Sequence, residues 1–232
     1  MQGLLITGTD TDVGKTHLTA GLLRFLRRSG VNAAAYKPVC SGSTQQADGT
    51  CTWNDVEQLY AAADGKFPRD RICPQRFHAP LAPPLAARQE GQCIDLQSLL
   101  LGVDWWKNQV DLLLVEGVGG WLCPLTDTEC IQDFAVKLGF PVLLVAQQKL
   151  GTINHTLLSV NAIRNAGLSL AGVVLNQTQP NVDPSADQNL EAIKSYGHVE
   201  NVWATPFTSE SELPDAPALI RIGGHLQAIL QC

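Results

Sequence analysis

The sequence predicts an α/β fold, with a mostly parallel central sheet that is covered by helices on both faces. Short, continuous apolar runs alternate along the chain with amphipathic helical patterns. Continuous apolar runs are typical of parallel strands that are buried on both faces. A glycine-rich segment also joins the first apolar run to the first helical pattern. These observations favour alternating strands and helices within one domain that covers residues 1–232.

Six apolar runs account for the predicted strands, which lie at residues 4–7, 33–37, 110–115, 141–146, 171–175 and 199–204. Pro38 closes the second run, because proline has no N–H to donate to a neighbouring strand. The last run is the weakest of the six.

Helical spacing of apolar residues predicts helices at residues 16–29, 96–108, 131–138, 154–165, 185–196 and 217–230. The first helix carries leucines at positions 18, 22, 23 and 26 and ends at Gly30. A further helical pattern opens at Asp55. Residues 40–54 and 64–92 have no clear period, so we expect long loops there, of the kind that carry function or move.

Composition argues against several classes of protein. The net charge is -6 and no basic block occurs, so we expect no nucleic-acid surface. No apolar run approaches the roughly 18 residues of a membrane span and no signal segment leads the chain, so we expect no membrane association and a cytoplasmic protein. The seven cysteines are irregularly spaced without a Cys-x-x-Cys pair, which indicates free thiols rather than disulfides or a zinc site.

Residues 8–16, with the sequence Gly-Thr-Asp-Thr-Asp-Val-Gly-Lys-Thr, follow an apolar strand and open a helix. This context is typical of the phosphate-binding loop (P-loop) of nucleoside triphosphatases, whose backbone N–H groups surround the phosphates. Lys15 would then reach the β- and γ-phosphates and Thr16 would bind magnesium. Five residues separate Gly8 from Gly14 instead of the usual four, so an ordinary strand–helix turn is the alternative. Asp12 is either a solvated turn residue or lies near the metal.

Three other charged side chains are candidate site residues: two that end apolar strands and one that follows a loop. Glu116 ends the run at 110–115 and precedes a glycine-rich stretch, where it is either a magnesium ligand or the start of a simple turn. Asp55 is either a second ligand or, with Asn54, a helix N-cap. Lys37 ends the second strand, where it either binds an anion or is solvated.

Taken together, these segments resemble the dethiobiotin synthetase family. The resemblance rests on residues 8–16, 36–42, 54–55, 115–125, 149–155 and 167–176, and it runs in order from residue 1 to about residue 210. The five-residue spacing in the P-loop is the family's own form. Residues 77–84 also resemble the segment that forms a wall of the substrate site in this family, beside a diamine substrate.

The resemblance implies a P-loop fold and a specific reaction. The family uses ATP and CO2 to close a cyclic urea on 7,8-diaminononanoate, which gives dethiobiotin, ADP and phosphate. One amine becomes a carbamate, the carbamate oxygen takes the γ-phosphoryl group, and the second amine displaces phosphate. The family acts as a homodimer, with the diamine bound at the subunit interface.

The resemblance also implies a role for individual residues. Lys15 and Lys37 would be the catalytic residues, and Thr16, Asp55 and Glu116 would hold Mg2+. The ATP site would use all of these except Lys37, together with Asp12, Val13, Gly14, Gly117, Val118, Gly119, Asn176, Gln177, Thr205, Pro206 and Phe207. The diamine and carbamate would contact Thr11, Lys37 and Ser41, and the distant carboxylate of the diamine would contact Gly151, Thr152, Ile153 and Asn154 of the partner subunit.

Two residues differ from the family's usual pattern, and two other functions remain as alternatives. Gln177 stands where the family often has Asp beside Asn176, which leaves the nucleotide preference open, and Asp12 replaces a frequent Glu. A nucleotide-dependent switch of the partition and septum-placement kind would carry a second lysine where Asp10 stands. An amide-forming ligase of the cobyrinate type would need an ammonia-supplying domain, for which the chain has no room.

Overall fold

The computed structural model describes residues 1–181, 183–209 and 215–230. The strands are β1 (Gln2–Gly8), β2 (Ala33–Tyr36), β3 (Val39–Ser41), β4 (Thr44–Gln45), β5 (Cys51–Thr52), β6 (Gln75–Phe77), β7 (Leu112–Gly120), β8 (Val142–Gln147), β9 (Leu170–Asn176) and β10 (Val202–Thr205). The helices are α1 (Lys15–Arg28), α2 (Asn54–Ala62), α3 (Arg69–Ile72), α4 (Pro83–Gln89), α5 (Leu96–Trp106), α6 (Ile131–Leu138), α7 (Thr152–Asn165), α8 (Ala186–Gly197) and α9 (Pro217–Leu230).

The central sheet has six strands in the order β10-β9-β8-β1-β7-β2, and every neighbouring pair is parallel. Successive side chains of a strand point to opposite faces, and residues 142–146 of β8 are all fully buried. Both faces of the sheet are therefore covered, which confirms the predicted α/β fold.

The first strand lies in the middle of this sheet, between β7 and β8. The chain order reverses at β1, because β7 and β2 lie on one side of it and β8, β9 and β10 lie on the other. In open parallel sheets, ligands bind beyond the carboxyl ends of the strands at such a reversal. The loop that follows β1 is therefore at the position where the fold favours a binding site.

Helix α1 packs its leucine stripe against the sheet and contacts both α2 and α9. The last turn carries Arg27 and Arg28, whose positive charge suits the negative end of the helix dipole. Arg27 also donates to the carbonyl oxygen of Ala33 at 3.2 Å, which fixes the end of α1 against the start of β2.

The segments that were expected to be long loops contain short elements instead. The structure forms β3, β4 and β5 within or beside residues 40–54, and α3, β6 and α4 within residues 64–92. β3 pairs with β6 in a small parallel sheet, and β4 pairs with β5. These elements are two to seven residues long, which is too short to produce a recognisable hydrophobic period.

Three elements also have boundaries that differ from those predicted. β7 continues through Glu116 to Gly120, so the glycines belong to the strand and Glu116 is not at its end. α7 begins at Thr152 rather than at residue 154, and β10 covers 202–205 rather than 199–204.

The cysteines in the described residues are free thiols, as expected; the seventh, Cys232, lies outside them. None of the helices within the described ranges is long and apolar enough to cross a membrane.

Candidate active site

The loop between β1 and α1 curls tightly around the start of the helix. Gly14 is the N-cap residue of α1 with φ 89°, a left-handed conformation that favours glycine. A Cβ atom at this position would also collide with the amide nitrogen of Asn176. Lys15 folds back, and its Nζ donates to the carbonyl oxygen of Asp10 at 2.8 Å. The loop thus has the curled backbone and the lysine that a phosphate site requires.

Lys37 follows β2 and is buried within a cluster of charged and hydroxyl groups. Its Nζ donates to Oε1 of Glu116 at 2.7 Å and also to Oδ2 of Asp55. The Thr16 hydroxyl donates to the same Glu116 oxygen at 2.6 Å. The structure therefore brings together the four residues that the sequence placed on separate strands and loops.

Asp55 is the second residue of α2 and does not cap that helix. The N-cap residue is Trp53, and no side chain caps the helix. The alternative interpretation of Asn54 or Asp55 as the N-cap is therefore wrong. The Asp55 carboxylate instead pairs with Lys37 at the edge of the cavity described below.

Burial and charge shift the pKa values of this cluster in opposite directions. Burial alone would lower the pKa of Lys37, but Glu116 and Asp55 hold it well above its ordinary value. Burial would raise the pKa of Asp55, but Lys37 outweighs that effect and the pKa falls. Burial lowers the pKa of Lys15, and Glu116 offsets this in part. Lys37 and Asp55 therefore form a charged pair at neutral pH.

The chemistry of the cluster fits a hard divalent cation. Glu116 is fully buried, and its second oxygen, Oε2, has no hydrogen-bond partner among the described residues. Nowhere in those residues do three His, Cys, Asp or Glu side chains form a complete metal site. Magnesium at phosphate sites commonly takes only one or two carboxylates and completes its shell with water and phosphate oxygens. Thr16, Asp55 and Glu116 could supply the protein ligands of such a site.

A cavity of about 960 Å³ opens above the carboxyl ends of the central strands. It is large enough for a nucleotide and a small second substrate. Of the predicted site residues it exposes Thr11, Asp12, Gly14, Lys15, Thr16, Lys37, Ser41, Asp55, Val118, Gly119, Asn176, Gln177 and Phe207. Pro80, Leu81, Ala82 and Pro83 form a wall of the same cavity, and the Ser41 hydroxyl donates to the Leu81 carbonyl oxygen at 2.7 Å.

Asn176 joins three parts of the site at the end of β9. Its Nδ2 donates to the carbonyl oxygen of Val13 at 3.0 Å, and its Oδ1 accepts from the Thr205 hydroxyl at 2.7 Å. Asn176 and Thr205 are both buried. The predicted contact of Asn176 with ATP stays a prediction, and the structure adds a structural role for Asn176, which is to hold the P-loop against β9 and β10.

Several predicted site residues do not line the cavity. The side chains of Val13 and Glu116 are buried and do not line it, and Gly117, Thr205 and Pro206 also lie outside the lining. Gly151, Thr152, Ile153 and Asn154 form the start of α7, and none of them lines this cavity. The Thr152 side chain is buried, whereas Gly151 and Asn154 are exposed.

The cavity also contains residues that the sequence analysis did not single out. Cys123, Gln58 and Thr178 line it. The Cys123 sulfur lies close to Gly119, where a Cβ would be 2.7 Å from it, and burial raises the pKa of the Cys123 thiol. Cys123 lies shortly after Gly120, at the glycine-rich end of β7, and that proximity in sequence was the available signal.

Comparison with solved structures identifies the fold. The MinC:MinD cell division protein complex from Aquifex aeolicus matches with a TM-score of 0.56 at 15% identity, over 100% of this chain and 96% of that chain. The septum site-determining protein MinD complexed with Mg-ADP from Pyrococcus horikoshii matches with a TM-score of 0.56 at 15% identity, over 98% and 96%. At this level of identity the likeness shows the fold alone.

Comparison with curated proteins identifies much nearer relatives. The ATP-dependent dethiobiotin synthetase BioD of Anaeromyxobacter sp. (strain Fw109-5) is 47% identical over 189 residues, which are 82% of either chain. The protein of the same name from Anaeromyxobacter dehalogenans (strain 2CP-C) is 42% identical over 207 residues, which are 89% of this chain and 91% of that one. A family model described as an AAA domain matches residues 2–214. With a P-loop that leads into a buried lysine–carboxylate cluster, the chain belongs to the ATP-dependent dethiobiotin synthetase family.

Proposed function

We propose that this protein is an ATP-dependent cyclo-ligase that converts 7,8-diaminononanoate and CO2 into dethiobiotin, with ADP and phosphate as the other products. The observation that carries the proposal is the position of Lys37. A second buried lysine, supplied by the end of β2, lies beside the P-loop and lines the same cavity. The lysines of a nucleotide switch would both lie in the P-loop, whereas a carbamate that attacks a phosphoryl group brings two anions together and needs a further cation beside that loop.

The proposed reaction consists of an addition to CO2 followed by two displacements. One amine of the substrate adds to CO2 and loses a proton to give a carbamate. A carbamate oxygen then attacks the γ-phosphorus of ATP, and ADP leaves. The second amine attacks the carbamoyl carbon, the ureido ring closes, and phosphate leaves with the oxygen that the carbamate supplied.

The residues of the cavity suit these steps. The P-loop N–H groups and Lys15 bind and neutralise the β- and γ-phosphates. Lys37 holds the carbamate oxygen in line with the phosphoryl group, and Thr11 and Ser41 contact the diamine. Thr16, Asp55 and Glu116 would hold Mg2+, which would neutralise the charge of the transferring phosphoryl group. The proximity of these groups reduces the entropy that the reactants lose on reaching the transition state.

The nucleotide base is proposed to lie at the far end of the cavity, against Asn176, Gln177 and Phe207. Phe207 is half exposed and lines the cavity, so its ring is free to contact a base. The Gln177 amide nitrogen donates to the carbonyl oxygens of Gln179 and Pro180, which leaves its Oε1 for the ligand.

A homodimer completes the proposed site. The start of α7 does not line the cavity of its own chain, yet Gly151 and Asn154 are exposed at a helix N-terminus, where a carboxylate is favoured. We propose that this turn binds the carboxylate of the diamine in the partner's site. The chain would then act as one domain per subunit, in the cytoplasm.

Phosphate release from ATP and Mg2+ with bicarbonate, measured with and without 7,8-diaminononanoate, tests the proposed function. We expect release to require the diamine and to match the dethiobiotin formed in a one-to-one ratio. Phosphate release that is independent of the diamine, or no dethiobiotin in any mixture, would refute the proposal. The Lys15→Ala variant serves as a control for contaminating ATPases, because it should lose both products together.

A further inference from the structure

The buried cluster contains one ammonium that bonds both carboxylates proposed to bind the metal. The Lys37 Nζ bonds Asp55 Oδ2 and Glu116 Oε1, and the Thr16 hydroxyl already donates to that same Glu116 oxygen. Each proposed metal ligand therefore belongs to the hydrogen-bond network of Lys37. A divalent cation that binds these oxygens would have to share them with an ammonium only a few ångströms away.

Such sharing is unfavourable in this environment. Glu116 is fully buried and Lys37 is 3% exposed, so water screens the repulsion between two cations poorly. Lys15 adds a third positive charge that acts on Lys37 and the two carboxylates. Two carboxylates cannot balance two lysines and a divalent cation in one buried cluster.

The Lys37 side chain can also move into the cavity. Lys37 lines the cavity, together with Ser41 and Thr11 on the side where the diamine is proposed to bind. A lysine side chain has several rotatable bonds, so its ammonium can leave the carboxylates without a change in the backbone.

We propose that the Lys37 ammonium competes with the divalent cation for Asp55 and Glu116, so that metal binding releases Lys37 into the cavity. The inference rests on the metal ligands of the proposed function. In the absence of metal, Lys37 pairs with the buried Glu116 carboxylate and the partly exposed Asp55 carboxylate; in its presence, the same ammonium becomes available to an anionic substrate. Binding of the metal would then, in the same step, make the Lys37 ammonium available to bind the carbamate.

Metal binding to the nucleotide-free protein tests the competition directly. The concentration of free Mn2+, measured by electron paramagnetic resonance, would give the Kd of the wild-type protein and of Lys37→Met, which keeps the length of the side chain without its charge. We expect the Kd for Mn2+ to fall by at least about tenfold in Lys37→Met. Lys15→Met is the matched control, because Lys15 is a buried lysine of the same cavity that bonds the Asp10 carbonyl oxygen and not the carboxylates.

An unchanged Kd in Lys37→Met would overturn the proposal. An equal fall in both variants would also overturn it, because the effect would then be general electrostatics and not displacement of Lys37. Asp55→Asn should weaken Mn2+ binding if the carboxylate is a ligand, and this result does not depend on Lys37. Failure of these tests leaves the product assay unaffected, since that assay measures dethiobiotin and not metal affinity.

A second measurement uses the wild-type chain and avoids any folding defect in Lys37→Met. Acetylation by acetic anhydride, quantified for each lysine by peptide mass spectrometry, would be followed at increasing Mg2+. Release from the carboxylates frees the amine from its hydrogen bonds and exposes it to the reagent, so we expect its acetylation rate to rise by at least about threefold, while Lys15 changes less. A Lys37 rate that stays constant up to metal saturation would contradict the proposal.

Discussion

Glu116 is fully buried in the middle of β7, and its Oε1 accepts hydrogen bonds from both Thr16 and Lys37. A buried carboxylate is costly unless it is paired, and loss of one partner of such a pair typically costs about 3–5 kcal/mol. The cost of burying Glu116 is offset here by a neighbouring ammonium and a hydroxyl. Its neighbours Lys37 and Asp55 have shifted pKa values and line a cavity, and such groups are characteristic of functional sites.

The Glu116→Gln variant tests the role of this carboxylate. The amide keeps the shape of the side chain but is a poor ligand for Mg2+ and no longer balances the charge of Lys37. We expect the Mg2+ concentration for half-maximal, diamine-dependent phosphate release to rise by about tenfold or more.

Glu57→Gln is the control for Glu116→Gln. It makes the same change on α2, at a carboxylate that pairs with Arg69 outside the cavity. Its Mg2+ titration should superimpose on that of the wild type. If Glu116→Gln also gave the wild-type titration, Glu116 would not be a metal ligand.

Among the elements, β9 and the P-loop depend on each other through Asn176. The Asn176 amide bonds the Val13 carbonyl oxygen and the Thr205 hydroxyl, and it occupies the space that a Cβ at Gly14 would take. One side chain thus links the loop after β1 to the ends of β9 and β10. The P-loop is held in its curled form by the neighbouring strands as well as by its glycines.

The Asn176→Ala variant should therefore weaken both the fold and nucleotide binding. It leaves the Val13 carbonyl and the Thr205 hydroxyl without their buried partner, so we expect the free energy of unfolding to fall by about 1–3 kcal/mol. Urea denaturation measures that change, and titration with ADP measures the Kd of the nucleotide, which should rise.

Asn165→Ala is the matched control, because Asn165 is exposed at the end of α7. It should change the free energy of unfolding by less than about 0.5 kcal/mol. Equal stability of Asn176→Ala and the wild-type protein would mean that these two hydrogen bonds do not hold the loop.

Elements with a strong local signal could be predicted from the sequence, and those without one could not. The first strand and helix follow from continuous apolar residues, leucine spacing and a glycine-rich junction. The extension of β7 to Gly120 was missed because glycine is unfavourable in strands, although Gly120 pairs with Gly8 of β1. The short elements between residues 39 and 89 owe their structure to tertiary contacts, which local periodicity does not record.

The candidate site divides in the same way. Lys15 and Thr16 could be placed because they follow a glycine-rich junction between a strand and a helix, and Glu116 because it directly follows a continuous apolar run. The ambiguity over Asp55 could not be resolved from sequence, because an acidic residue near a helix start is equally typical of a cap. The contact between Asn176 and Thr205 joins residues on two strands, and only the register of β9 with β10 brings them together.

At the scale of the whole molecule, the proposed dimer predicts that two defective subunits restore each other. Lys37→Ala should disable the cavity of its own chain. Asn154→Asp places a negative charge at the start of α7 and should repel the diamine carboxylate in the partner's cavity, which raises the KM for the diamine.

A mixture of the two variants should form hybrid dimers in which one site is intact. Random exchange of subunits would then restore about a quarter of wild-type activity at a diamine concentration where each variant alone is nearly inactive. Asn161→Asp, an exposed position farther along α7, is the control and should keep a wild-type KM. Mixtures no more active than the sum of their parts would contradict a shared site.

The central position of β1 has a consequence during protein synthesis. Its partner β7 begins about a hundred residues later in the chain, and β8 begins later still. At a translation rate of roughly 5–20 residues per second, β1 leaves the ribosome about 5–20 s before β7 is made. During that interval a nascent chain carries an unpaired strand with an apolar centre, Leu4-Leu5-Ile6, that is prone to aggregate. We therefore expect synthesis of this protein to depend on chaperones that bind the first residues of the emerging chain.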